Sequence, residues 1–188
     1  MEILRLLSPQ CADLGAKANV ERHIYTAQSP TAHGTGVCRG VATFNNVTPL
    51  EVFSCIYNPG YRLIWDHRIS AAYILERFSQ TQFLFYLVTR GIGPVYWPRD
   101  AVGIQGARFY KRNGEVVTDH ISPDCDCIDL IWTSLETSPV SPQEGKVRAF
   151  IDLVGYRLQK MPDGGCRVTY LLSLDLAVPI PGCEYQKH

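Results

Sequence analysis

From Arg99 to Tyr110 the chain alternates between two residue sets that a β-strand would place on opposite faces. One set reads Arg99, Ala101, Gly103, Gln105, Ala107, Phe109; the other reads Asp100, Val102, Ile104, Gly106, Arg108, Tyr110. The first face is mostly small, with two long polar side chains among the small ones. Small side chains leave volume unfilled, and Arg99 and Gln105 can project into it. A guanidinium held away from water is costly unless a protein carboxylate or a polar group of a guest answers its charge.

The same period-two pattern recurs along most of the chain. Val20–Ala27 and Gly36–Phe44 read as strands, with Ser29-Pro30 and His33-Gly34 between them. Ala71–Phe78 and Gln82–Thr89 are strands joined by a tight turn at Ser79-Gln80. Asn113-Gly114 is a hairpin signal, so Glu115–Ile121 is expected to pair back on the Arg99 strand. Cys127–Glu136 alternates again, and a Pro/Ser loop leads into a long strand from Lys146 to Gln159. Pro162-Asp163-Gly164-Gly165 is a turn, and Cys166–Asp175 is the last strand.

Helical spacing is confined to short stretches. Glu2–Leu7 predicts a short helix stopped by Pro9. Thr48 as N-cap, Pro49 at the first helical position and Glu51 three residues after the cap predict a second helix. Leu50, Phe53 and Tyr57 share its face, Asn58-Pro59-Gly60 ends it, and Tyr61–Trp65 reads as a further short helical turn. The expected architecture is α+β: eight or nine strands in a strongly curved antiparallel sheet, with helices covering one face. One good helix cannot cover so many strands. The uncovered concave face is therefore an internal hydrophobic cavity.

Composition narrows the function classes. A chain of 188 residues suits one domain, and 46% hydrophobic with 19% charged residues describes an ordinary globule. Eighteen basic and eighteen acidic residues cancel, which argues against a nucleic-acid partner. No apolar run approaches the roughly 20 residues of a membrane span, and the start lacks the pattern of a secretory signal. Seven scattered cysteines predict reduced thiols, and with them a cytoplasmic protein that touches membranes only peripherally. Asp124-Cys125-Asp126-Cys127 lacks the second ligand pair of a structural zinc site, so no metal or other cofactor is expected. His23, His33, His67, His120 and His188 are scattered, and no nucleophile elbow or Gly-rich phosphate loop is present.

Four short motifs then carry a resemblance. Trp65-Asp66 follows a helix, Arg99-Asp100 opens a strand, Val147-Arg148-Ala149 opens another, and Tyr170–Asp175 is followed by Ile180-Pro181. In this order and spacing they resemble the StAR-related lipid-transfer (START) domain from about Ile3 to Gly182. The resemblance implies a helix-grip fold, a single lipid-binding domain over residues 3–182 and a short tail over 183–188. It implies that one lipid is bound and carried or sensed between membranes, without catalysis. A cavity enzyme of the cyclase or aromatase type, acting on a polyketide-like guest through Tyr86, Gln105, Arg99 and His120, is the alternative.

The resemblance also implies a long C-terminal helix after Ile180-Pro181, where only Cys183–His188 remain. The expectation is that the natural chain is longer, that a partner chain or dimer mate supplies the lid, or that the pocket is open. Tyr86 and Gln105 stand where sterol-binding relatives carry a buried acid and arginine. Arg99 matches the arginine that contacts lipid phosphate in phosphatidylcholine-binding relatives. The expected cavity residues are Leu84, Tyr86, Val88, Arg99, Ala101, Gln105 and Phe109. Trp65, Asp66, Asp100, Arg148 and Asp175 are expected to fix the fold, with Trp65 in the core. Loops near Gly91–Tyr96 and Pro162–Gly165 are the expected membrane contacts.

Overall fold

The computed structural model describes residues 18–19, 25–28, 36–91, 97–136 and 139–175. The expected helix at Glu2–Leu7, the Ile180-Pro181 segment, the 183–188 tail, most of the Gly91–Tyr96 loop and part of the Val20–Ala27 strand lie outside these residues.

The described strands form one sheet. They are β1 (Ala18–Asn19), β2 (Tyr25–Gln28), β3 (Gly36–Phe44), β4 (Ile69–Arg77), β5 (Gln82–Thr89), β6 (Arg99–Lys111), β7 (Val116–Val117), β8 (Cys125–Ser134), β9 (Val147–Arg148), β10 (Phe150–Lys160) and β11 (Cys166–Asp175). Eight of them follow the order β1-β3-β11-β10-β8-β6-β5-β4, with β2 on β3 and both β7 and β9 on β6. The fold is α+β with a curved, almost entirely antiparallel sheet, as expected. The count exceeds eight or nine because β1, β7 and β9 are two-residue strands too short to register as period-two runs.

The long strand expected from Lys146 to Gln159 is two strands. β9 runs parallel to β6, with Arg99 opposite Val147 and Asp100 opposite Arg148. β10 then leaves β6 and pairs antiparallel with β8 and β11. The chain changes partners at Ala149, whose N–H donates to the Asp100 carbonyl at 2.8 Å.

Among the described residues two helices sit on the inner face: α1 (Pro49–Tyr57) and α2 (Pro59–Trp65). The capping box at the start of α1 is present: Thr48 N–H donates to Glu51 Oε2 at 2.7 Å, and Glu51 N–H donates to Thr48 Oγ1 at 3.2 Å. Asn58 closes α1 and opens α2, its Oδ1 accepting from Gly60 N–H at 2.9 Å. Trp65 is 36% exposed rather than in the core. Its indole N–H donates to the Cys55 carbonyl at 3.0 Å, so it ties α2 to α1 by a hydrogen bond rather than by burial.

One end of the inner face is packed solid. Phe53 stacks on Tyr57 at 4.8 Å and meets Phe109 edge-on at 5.1 Å; Tyr57 meets Phe83 edge-on at 5.3 Å. Gly103 belongs to this end for a reason other than spare volume. A Cβ there would lie 2.2 Å from the Thr133 carbonyl oxygen, so only glycine lets β6 and β8 approach this closely. No helix among the described residues is long and apolar enough to cross a membrane. Cys38, Cys125, Cys127 and Cys166 are free thiols, but Cys55 is disulfide-bonded, which corrects the expectation of uniformly reduced cysteines. Seven scattered cysteines do not disclose a pairing.

Candidate ligand-binding hollow

Strand register decides which side chains face inward. Across β5 and β6, Phe83 is opposite Gln105, Phe85 opposite Gly103 and Leu87 opposite Ala101, and directly opposed residues share a face. The inner set of β6 is therefore Arg99, Ala101, Gly103, Gln105, Ala107 and Phe109, as the alternation predicted. Leu84, Tyr86 and Val88 pair with Ile104, Val102 and Asp100, which puts them on the outer face. Leu84 and Val88 line neither the hollow nor the cleft behind it, and Tyr86 borders only the small cleft that Gln105 also lines. An alternating run has two faces, and both faces of β5 are apolar enough that composition alone could not choose.

Past the aromatic cluster the inner face opens into a hollow of about 390 Å³. Leu87 of β5, Ala101 of β6, Ile151 and Val154 of β10, and Leu172 and Leu174 of β11 supply much of its apolar wall. Arg62 and Asp66 from α2 and its end close one side, and Arg99 lies in the wall beside Trp97. Arg99 is buried, with its guanidinium donating to the Trp97 carbonyl and its backbone N–H to Thr89 Oγ1 at 3.1 Å.

Gln105 and Phe109 are inward but do not reach this hollow. Phe109 is fully buried in the aromatic cluster. Gln105 is 2% exposed and its Nε2 donates to the Tyr57 carbonyl at 3.0 Å. That carbonyl ends α1 and has no intrahelical partner, so Gln105 serves the helix terminus. It lines only a cleft of about 20 Å³ behind Trp132. Tyr86 stacks on Tyr73 at 6.4 Å and donates its hydroxyl to Asp100 Oδ2 at 3.1 Å. Burial is the main influence raising its pKa, with the Asp100 bond adding to it. His120 is exposed beside Asp119 at 2.8 Å, so Tyr86, Gln105, Arg99 and His120 do not gather around one cavity.

Of the residues expected to fix the fold, Asp66, Asp100 and Arg148 sit in ion pairs. Arg148 holds Asp100 through two bonds, Nε to Oδ1 at 2.8 Å and Nη2 to Oδ2 at 3.0 Å. Burial, the largest influence, pushes the Asp100 carboxyl up, but Arg148 and Tyr86 together hold it below the ordinary range. Asp66 behaves alike. Burial raises it, while Arg68, at 2.8 and 2.9 Å, and the more distant Arg62 bring it below the ordinary range. Asp175 lies opposite Phe150 on the β10–β11 ladder.

No family model and no curated protein matches the sequence. Solved structures do match. Human StAR-related lipid transfer protein 5 superposes with a TM-score of 0.67 at 19% identity, over 96% of this chain and 86% of that one. The fold is that of a START domain. The lipid transfer and protein localization domain of human StarD13 gives a TM-score of 0.60 at 17% identity, over 95% of this chain and 84% of that one. A STAR-related lipid transfer protein from Xanthomonas axonopodis gives 0.53 at 18% identity, over 78% and 80%.

Within this START fold two of the motifs that suggested it form one structural unit: Arg99-Asp100 and Val147-Arg148-Ala149 meet through the Asp100–Arg148 pair and the β6–β9 ladder. Several hollow residues escaped the sequence reading, above all Arg62, Trp132, Ile151 and Leu172. Arg62 stands four residues before Asp66 on one helix, a spacing that brings opposite charges together and was legible. Trp132 and Leu172 looked like any inward residue of an apolar strand.

Proposed function

We propose that the protein binds one hydrophobic or amphiphilic lipid-like molecule in the hollow and carries it through water between membranes. The observation that supports this most is the hollow itself, about 390 Å³ walled by aliphatic side chains beside a core packed solid. That volume lies at the low end of the roughly 300–1,000 Å³ typical of small-molecule pockets. The likeness in fold to proteins named for lipid transfer points the same way. Burial supplies the affinity: each CH₂ withdrawn from water contributes about 0.8 kcal/mol. Carriage needs no bond made or broken, only shielding of the chain during transit.

Ala101 and Arg99 are the members of the expected set that line this hollow, with Leu87, Ile151, Val154 and Leu172 completing the apolar wall. A fluorescent fatty acyl probe held in donor vesicles tests the proposal. Its arrival in acceptor vesicles should accelerate in proportion to protein concentration. A transfer rate independent of the protein contradicts carriage.

A further inference from the structure

Arg62 is 8% exposed, yet its Nε and Nη1 have no hydrogen-bond partner. Its Nη2 lies 3.5 Å from Asp66 Oδ2, a long contact, because that carboxylate is already held by Arg68 at 2.8 and 2.9 Å. The guanidinium carbon sits 4.0 Å over the Trp132 ring, and the Trp132 Nε1 donor, also buried, is unpartnered too. Trp132 and Arg62 border both the hollow and the small cleft behind it. Buried donors are nearly always paired, and each one left without an acceptor costs about 1–3 kcal/mol, more when charged.

Charge around the hollow is unbalanced in the same sense. Among the described residues Arg62, Arg68 and Arg90 line it against Asp66, and Asp100 at its border is taken up by Arg148. A neutral sterol or diglyceride would leave this excess unanswered. An anion would not.

We propose that the guest is an anionic amphiphile whose carboxylate or phosphate is seated at the inner end of the hollow, on Arg62 and the Trp132 indole N–H, with its chain along the aliphatic wall. This rests on the reading of the hollow as a lipid site. It places the anionic head on α2 and β8 rather than on Arg99. Arg62 stacked on Trp132 is held in orientation before the guest arrives, so little side-chain freedom is lost on binding. Keeping donors unpaired in the empty protein costs stability, and the guest returns it.

Calorimetric titration with dodecanoate, dodecyl phosphate and dodecanol, alike in chain length, provides the test. Dodecanoate or dodecyl phosphate should bind at least tenfold more tightly than dodecanol, and the preferred anion identifies the head. Arg62→Met should abolish that preference while retaining dodecanol binding. It should also leave the empty protein as stable as the parent or more so, because Asp66 keeps Arg68. Trp132→Phe keeps the ring and removes one donor, so it should weaken anion binding severalfold. In the unaltered protein the indole N–H resonance missing from Trp132→Phe should shift on adding the anion and stay in place with dodecanol. Equal affinity for all three probes, with that resonance unmoved, overturns the anionic assignment and leaves the carrier reading intact. Loss of preference in Arg99→Met but not in Arg62→Met overturns the location. Failure of all three probes to bind defeats the carrier reading itself.

Discussion

Strand β6 carries two buried alanines on one face, six residues apart, in opposite surroundings. Ala107 and Ala101 are each 3% exposed. Both belong to the buried core, but Ala107 stands next to Phe109 on that face and away from the hollow, whereas Ala101 borders it. One strand thus serves two purposes: its Gly103–Phe109 half builds a solid core under α1, and its Arg99–Ala101 half faces space. Burial alone does not separate the two. What separates them is whether another element supplies atoms to the same volume. At the packed end α1 does so with Phe53 and Tyr57; at the open end Arg62 and Asp66 contribute polar groups to the boundary.

The largest effect should come from emptying the solid end. Phe109→Ala should destabilise the protein by about 3–5 kcal/mol in denaturant unfolding, with guest affinity nearly unchanged at temperatures where the fold persists. The sharper contrast inserts bulk at the two alanines. Ala107→Trp should cost about 1–3 kcal/mol or more, because a close-packed site has no room. Ala101→Trp should cost under about 1 kcal/mol and reduce guest binding at least tenfold, because the indole occupies guest volume. Equal costs at the two positions would erase the distinction between the halves. Gln105→Leu, which leaves the Tyr57 carbonyl buried without its donor, should cost about 1–3 kcal/mol and spare the hollow.

Acid should act mildly on the pairs that frame the open end. In the folded protein, against the opposing effect of burial, Arg68 and Arg148 hold the Asp66 and Asp100 carboxyls below the ordinary carboxylate range. The unfolded chain therefore takes up protons first. The stability these groups contribute is fully present above about pH 4 and is lost as pH falls through and below that value. Thermal melts between about pH 2 and 6 should show this decline, and Asp100→Asn should flatten part of it.

Much of the frame was legible because it obeys local rules. The Thr48–Glu51 box and the β5 and β11 boundaries were readable from spacing alone. So was the inner face of β6, because its polar members, Arg99 and Gln105, are buried with the small ones. The failures have non-local causes. Leu84, Tyr86 and Val88 lie on the face opposite to the expected one, because β5 is apolar on both and only its pairing with β6 chooses between them. The single strand expected from Lys146 to Gln159 is broken by a change of partner at Ala149 that periodicity cannot register. Small side chains mean space at Ala101 alone: Gly103 is small because a neighbouring strand passes against it, and Ala107 is buried without bordering the hollow. Gln105 looked like a ligand contact, yet its partner is a helix end far away in sequence.

Native mass spectrometry of the protein, isolated gently from cells and then exposed to a lipid extract, tests most directly whether the hollow exists to be filled. The account predicts a complex of one chain with one lipid-sized molecule, absent in Ala101→Trp. A folded chain that stays at its polypeptide mass throughout, or an Ala101→Trp protein that retains the same cargo, would contradict it.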